Sequence, residues 1–261
     1  MQLSTIIFAF FLSVTGLIVY GNTVITPESI DTLVIAPHPD DAELGAGRMI
    51  MNEVTSGKNV AILVLTNGDA KEFGNYKISR DYGATRKAEQ RLVADTIGVP
   101  SQQVIILNYP DGYLPRLENT LLTKSEYTGQ MRSDLDSYSP GSLYTRSRLL
   151  YLMDRTITEL NPKKIYVTSN KDKHADHSAA YELLEAVYKN NESISARVYT
   201  YQIHGRKFTG AINSDDEKRE ILELYKSQFH TPEYHDFMLK YANFPEDFTE
   251  VFFRKGDEFE N

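Results

Sequence analysis

Thr32-Leu33-Val34-Ile35-Ala36-Pro37-His38-Pro39-Asp40-Asp41 is the stretch from which the fold can be read. Leu33 to Ala36 is an unbroken apolar run with no polar residue alternating through it, the pattern of a strand buried on both faces of a parallel sheet. The four residues His38 to Asp41 then set one imidazole and two carboxylates at the exit of that strand. A counterpart lies far downstream, where Lys164-Ile165-Tyr166-Val167 is followed by His174-Ala175-Asp176-His177. The carboxyl ends of strands in an open parallel sheet face one crevice, so the two clusters can meet there. Imidazole and carboxylate groups gathered at strand exits are the raw material of a mononuclear metal site, and a hydrolytic one is the leading reading.

Outward from these segments the chain alternates strand-like and helix-like stretches. Leu44–Thr55 has helical spacing and stops at Gly57, and Asn59–Leu65 reads as a second buried strand. Ala84–Ile97 is a helix closed by Gly98 and Pro100, which is ordinary stop chemistry. Val104–Leu107 is a third strand, Ser147–Leu160 a helix ending before Pro162, Lys164–Val167 a fourth strand, and His177–Tyr188 a further helix. Ala196–Ile203 reads as a fifth strand. Ser214-Asp215-Asp216-Glu217 is a capping box opening a helix that reaches Phe229, and Phe248–Phe253 fits an edge strand. Such βα repetition predicts an α/β fold: a Rossmann-like, mostly parallel, doubly wound sheet with helices on both faces. Only Asn108–Thr145 is too long and irregular for a simple connection.

The chain has 261 residues, 41% of them hydrophobic and 25% charged, enough for one sizeable core. A net charge of −8 argues against holding nucleic acid by general electrostatics. There is no cysteine, so disulfides and thiolate ligands are excluded and any metal must be held by His and carboxylate. Residues 1–21 carry no charged side chain and include the apolar run Ile6 to Leu12 and then Leu17 to Tyr20. That segment is expected to be a signal peptide cleaved before Asn22, or a membrane anchor if retained, with residues 22–261 as a single domain exported to the periplasm or beyond.

The residue types suit hydrolysis. A catalytic zinc keeps about three protein ligands and leaves a position for water. His38, Asp41 and His177 could supply those ligands. Asp40, next to a ligand but not required as one, could take the proton of the attacking water. His174 could donate a proton to the leaving amine or steady the tetrahedral oxyanion.

Beyond these residues, His38-Pro39-Asp40-Asp41-Ala42-Glu43-Leu44-Gly45-Ala46-Gly47 resembles the opening signature of the LmbE-like, PIG-L-type de-N-acetylases. Further stretches resemble the family in the same order. They are Leu65-Thr66-Asn67-Gly68-Asp69, Arg86 with Glu89, Tyr109-Pro110-Asp111-Gly112-Tyr113-Leu114, His174 with His177, and Tyr225-Lys226-Ser227-Gln228. The resemblance implies a zinc-dependent hydrolase, with one zinc or other divalent ion per chain, that removes acetyl groups from N-acetylglucosamine-type conjugates. By the same resemblance His38, Asp41 and His177 are metal ligands, Asp40 the general base, His174 the acid or electrostatic partner, and Arg86 and Asp111 substrate-binding residues. Two departures stand out. Ala42 is inserted before Glu43, and Asp172 occupies a position where some members carry a tyrosine.

The rival from another class is a sugar-binding α/β protein without catalysis, and within enzymes a hydrolase of another amide conjugate. A structural metal would be closed by four ligands, whereas only three good ones are evident. Gly45-Ala46-Gly47 also makes a poor nucleotide site, because two carboxylates stand where a pyrophosphate would sit. Tyr109, Tyr113, Tyr127, Tyr138 and Tyr144 are better read as packing than as sugar-stacking platforms. His204 is placed to line the crevice. The charge run from Ser214 to Glu220 reads as a cap and a solvated face.

Overall fold

Apolar runs that lack polar alternation become the inner strands of one sheet, because both of their faces must be covered. The computed structural model describes residues 18–20, 23–25, 29–70, 76–206, 215–229 and 232–253. Two short strands, β1 (Ile18–Tyr20) and β2 (Thr23–Ile25), pair antiparallel. The rest of the expected leader or anchor, residues 1–17 and Gly21, lies outside the described residues. Among the described residues no helix is long and apolar enough to cross a membrane.

The main sheet has six strands: β3 (Thr32–Ala36), β4 (Val60–Thr66), β5 (Val104–Tyr109), β6 (Lys164–Thr168), β7 (Arg197–Tyr201) and β8 (Thr249–Val251). Their order is β5-β4-β3-β6-β7-β8, all parallel except β8, which runs antiparallel on β7. Leu33 and Ile35 of β3 point to one face, where they share a core with Leu149 and Leu152 of α3 (Arg146–Leu160) and Leu183 and Leu184 of α4 (Ala175–Asn190). Val34 and Ala36 point to the other. There they join Ile50 of α1 (Asp41–Thr55), Val93 of α2 (Tyr76–Thr96), Ile221 of α5 (Asp216–Leu222) and Met238 of α6 (Pro232–Lys240). The doubly wound α/β expectation is therefore met. The chain leaves β3 toward β4 and β5, then returns to β6 on its other side, so the loops after β3 and β6 part at a topological switch point.

Several boundaries differ from the sequence reading. Helix α2 begins at Tyr76, eight residues before Ala84, and α6 was not foreseen. The helix expected to reach Phe229 stops at Leu222, and Lys226–Gln228 forms a separate 3₁₀ turn. Asp215 is the cap of α5, its side chain accepting from Lys218 N, one residue later than the capping box at Ser214 implies. Nor is that charge run only a solvated face. Lys218 is buried, donating to Leu44 O (3.1 Å) and pairing with Glu246 (2.6 Å), because its counter-ion arrives from a distant segment.

The long segment after β5 lies along that edge strand. Tyr138 N donates to Ile106 O and Ser137 Oγ to Leu107 O, covering the exposed ladder. Tyr109, Tyr138 and Tyr144 are buried in the core, as the packing reading expects, while Tyr127 stays half-buried edge-on to Tyr113.

Candidate active site

The exit of β3 is a tight turn whose geometry follows from its sequence. Asp41 opens α1, and its Oδ2 accepts from His38 N at 2.9 Å, closing the turn. Asp40 caps the helix with φ 113°, a conformation that favours glycine and costs other residues about 1–3 kcal/mol. Arg86, reaching over from α2, donates to Pro39 O (2.8 Å) and to Asp40 Oδ2 (3.0 Å). By default a helical arginine is solvated. This one is buried, 7% exposed.

The exit of β6 is a longer loop organised by one carboxylate. Asp172 accepts from the main-chain N–H of His174 (2.9 Å), Ile203 (2.7 Å) and His204 (3.0 Å), tying the loop to the end of β7. His174 caps α4, its Nδ1 accepting from Asp176 N at 3.3 Å. Asp176 is fully buried and accepts from Gly112 N (2.6 Å) and Leu114 N (3.1 Å), which fixes the turn carrying Asp111.

These elements bring His38 Nδ1, Asp41 Oδ2 and His177 Nε2 into one triangle with edges of 2.9, 3.1 and 3.3 Å. Donors held about 2.0–2.1 Å from a tetrahedral zinc lie roughly 3.3 Å from one another, so the triangle has metal-site dimensions. Tautomers agree. The other nitrogen of His38, Nε2, faces Asp111 Oδ1 (3.0 Å) and Asp176 Oδ2 (3.1 Å), and the other nitrogen of His177, Nδ1, faces Asp172 Oδ2 at 3.2 Å in a bent contact. Carboxylates flank both nitrogens of each ring, so the ring protons have acceptors on the outer side when a cation takes the two inner nitrogens beside the Asp41 oxygen. Two lone pairs and an anionic oxygen meeting in a buried spot fit a cation. His174 stands close enough to add a nitrogen, its donor lying within 4.8 Å of those of His38 and His177.

The electrostatics agree with the geometry. Burial lowers the pKa of His177, but Asp41 and Asp172 more than reverse this and raise it to about 9. Burial likewise opposes charge on His38, yet Asp111 and Asp41 hold its pKa well above the usual imidazole value. Asp41 sits well below the carboxylate range, its desolvation outweighed by His177 and His38. A pocket this negative attracts cations. Asp40 differs. Burial raises it to about 7 despite the opposing Arg86 charge. His174, desolvated at the rim and next to two imidazoles, is lowered to about 4.

All seven residues singled out in the sequence thus converge: His38, Asp41 and His177 at the centre, Asp40 and Arg86 on one side, Asp111 against His38, and His174 with its ring 4.8 Å from that of His38. His204 does line the crevice, its ring 4.9 Å from that of His177. Asp172, Asp176 and Gln90 were missed as supporting groups. Asp176 stood inside the quoted His174–His177 motif, so its carboxylate was visible. Nothing in the sequence marked Gln90.

A family model described as PIG-L, GlcNAc-PI de-N-acetylase, matches residues 33–188, a span holding both strand exits. Among solved structures, the chain is similar to the N,N'-diacetylchitobiose deacetylase of Pyrococcus horikoshii, with 18% identity, a TM-score of 0.59, and 86% of this chain and 84% of that one covered. It is also similar to the conserved protein TT1542 of Thermus thermophilus, at 21% identity and a TM-score of 0.56, covering 89% of this chain and 99% of that one. The 4-carboxy-2-hydroxymuconate hydratase GalB of Pseudomonas putida resembles it as well, at 15% identity and a TM-score of 0.52, covering 80% and 83%. At these identities the likeness shows the fold, and the hydratase demonstrates that the fold alone does not fix the reaction.

Proposed function

The chain belongs to the PIG-L family, and on that premise we propose that it is a zinc-dependent hydrolase that removes the acetyl group from an N-acetylglucosamine-type conjugate, releasing acetate and a free amine. The observation that carries this reading is the His38–Asp41–His177 triangle with the carboxylate of Asp40 beside it. When bound there, a divalent ion supplies positive charge that acidifies water and withdraws electron density from a carbonyl oxygen.

The protein's own groups do the rest. Asp40, raised to about 7 and aimed by Arg86, takes the proton of the attacking water and can return it to the departing amine. His174 accepts a main-chain N–H at Nδ1, so its ring proton sits on Nε2. A neutral ring with that proton donates a hydrogen bond to the oxyanion, which favours the electrostatic role over the acid role. Asp111, fixed by Asp69 and Asp176 through its turn and neighboured by Arg86 at 3.6 Å, offers a carboxylate that accepts sugar hydroxyls.

Asp40→Asn tests the reading. Size and the Arg86 contact are largely kept while the basic oxygen is lost, so zinc content stays near wild type and kcat for acetate release falls by about 10²–10⁴. Full turnover in this variant excludes Asp40 as the base. A wild type that binds acetamido sugars but releases no acetate from any of them replaces the enzyme with a binding module.

A further inference from the structure

Asp40 holds its carboxylate in place from a backbone conformation that few side chains adopt, φ 113°. Such a conformation persists only where the surroundings over-determine it. Arg86 restrains one side. On the other, Asp40 N donates to Gln90 Oε1 at 2.9 Å, and Gln90 lies one turn after Arg86 on α2. Gln90 Nε2 donates to Glu43 Oε1 at 2.9 Å, and Tyr225 OH donates to Glu43 Oε2 at 2.6 Å. Gln90, Glu43 and Tyr225 are all fully buried. The order of the amide is fixed at both ends: a main-chain N–H can only donate, and the Glu43 carboxylate accepts from both neighbours.

We propose that Gln90, oriented by Glu43 and Tyr225, is a positioning residue that latches the Asp40 peptide and thereby aims the Asp40 carboxylate at the reacting water. The inference rests on the reading of Asp40 as the base. It also gives the Tyr225-Lys226-Ser227-Gln228 element a purpose. While Tyr225 closes the latch, Ser227 N donates to Glu89 Oε1 (2.8 Å) and Gln228 Nε2 to Tyr82 OH (3.0 Å), so the element grips the helix that carries Gln90 and Arg86. Glu43, in the first turn of α1, is then an acceptor buried behind the base.

Gln90→Leu removes both bonds at nearly constant volume. The expected result is zinc at one equivalent, KM within about twofold of wild type, kcat lowered by about 10–100-fold, and faster hydrogen exchange at the Asp40 amide. Gln90→Glu sets carboxylate against carboxylate and loses kcat similarly. Adding Glu43→Gln to Gln90→Glu rebuilds every pair: residue 90 accepts from Asp40 N and from the amide at 43, whose oxygen accepts from Tyr225 OH. The double variant should therefore recover kcat to within about threefold of wild type, with KM and zinc content unchanged throughout, the split that separates positioning from loss of structure. Undiminished kcat in Gln90→Leu overturns the latch, as does a double variant no better than Gln90→Glu. If the wild type releases no acetate, the deacetylase reading fails instead. Amide exchange at Asp40 then decides the latch, which unchanged protection in Gln90→Leu would overturn.

Discussion

At the exit of β3 the functional residues are packed into His38–Asp41 and the backbone is strained to present them, whereas the exit of β6 runs through Ser169–Lys173 before His174 and His177 arrive at the head of α4. The first turn is held from outside by side chains of α2. Among the described residues the second contains no left-handed non-glycine residue and is held by Asp172, which accepts from three main-chain N–H groups. Both deliver corners of the triangle to the same point, but the restraints act on different things. Those at β3 hold Asp40, the proposed base, and the one at β6 orients His177, a proposed ligand, and joins two strands. Damage to the two turns should therefore read out differently.

The largest effect comes from cutting either turn at the point where they meet. Asp41→Asn and His177→Ala each remove one corner of the triangle, so elemental analysis should find bound zinc well below one equivalent, with acetate release falling to background. Full metal in both variants would place the ion elsewhere, for instance among the buried donors of His38, Asp111 and Asp176.

Next in size is Asp172→Ala, which probes the second restraint alone. It strands buried N–H groups and leaves His177 Nδ1 without its carboxylate. Zinc affinity should drop by about 10–100-fold in competition with a chelator, and stability by about 2–4 kcal/mol in urea melts. Saturating zinc should restore much of kcat, in contrast to Asp40→Asn, whose kcat zinc cannot rescue. If the two variants respond alike to added zinc, the division of labour between the turns is wrong.

A smaller effect sharpens the picture at β4. Asp69 follows that strand, accepts from Asp111 N at 3.0 Å and is 1% exposed; its other oxygen has no hydrogen-bond partner among the described residues. Burial, with the Asp111 charge adding to it, raises its pKa to about 7 from 3.8. The folded protein thus binds a proton in that window that the unfolded chain has released, so this residue's contribution to stability declines as pH rises from about 4 to about 7. Asp69→Asn keeps an acceptor for Asp111 N and abolishes the charge. Its stability relative to wild type should increase between pH 5 and pH 8 by about 2 kcal/mol in thermal melts, and a constant difference across that range would rule out the buried charge as the cause.

How much of this was legible beforehand varied with the range of the interaction. Leu33–Ala36 and Asn59–Leu65 announced buried parallel strands because apolar continuity is a local property, and the two strand exits were adjacent in sequence to the residues they position. Helix α2 was entered late because Tyr76–Gly83 has no strong apolar stripe. Yet those first two turns bring in Tyr82, which bonds to Gln228. Lys218 reads wrongly for a related reason. A long cation reads as solvated unless its partner is known, and Glu246 comes from another part of the chain.

By itself, then, the sequence determined the order of the inner strands and the helices between them, the exclusion of thiolate chemistry and the choice of His38, Asp41 and His177 as candidate ligands, since each follows from residue type and short-range pattern. The tertiary structure alone decided which nitrogen of each histidine faces the shared centre, that Asp172 and Asp176 stand behind those rings, and that Gln90 and Glu43 lie behind Asp40. Such roles depend on what a buried polar atom faces. For His38 and Asp40 that neighbour comes from another crossover, with Asp176 and Gln90 standing 138 and 50 residues away, where no periodicity reaches.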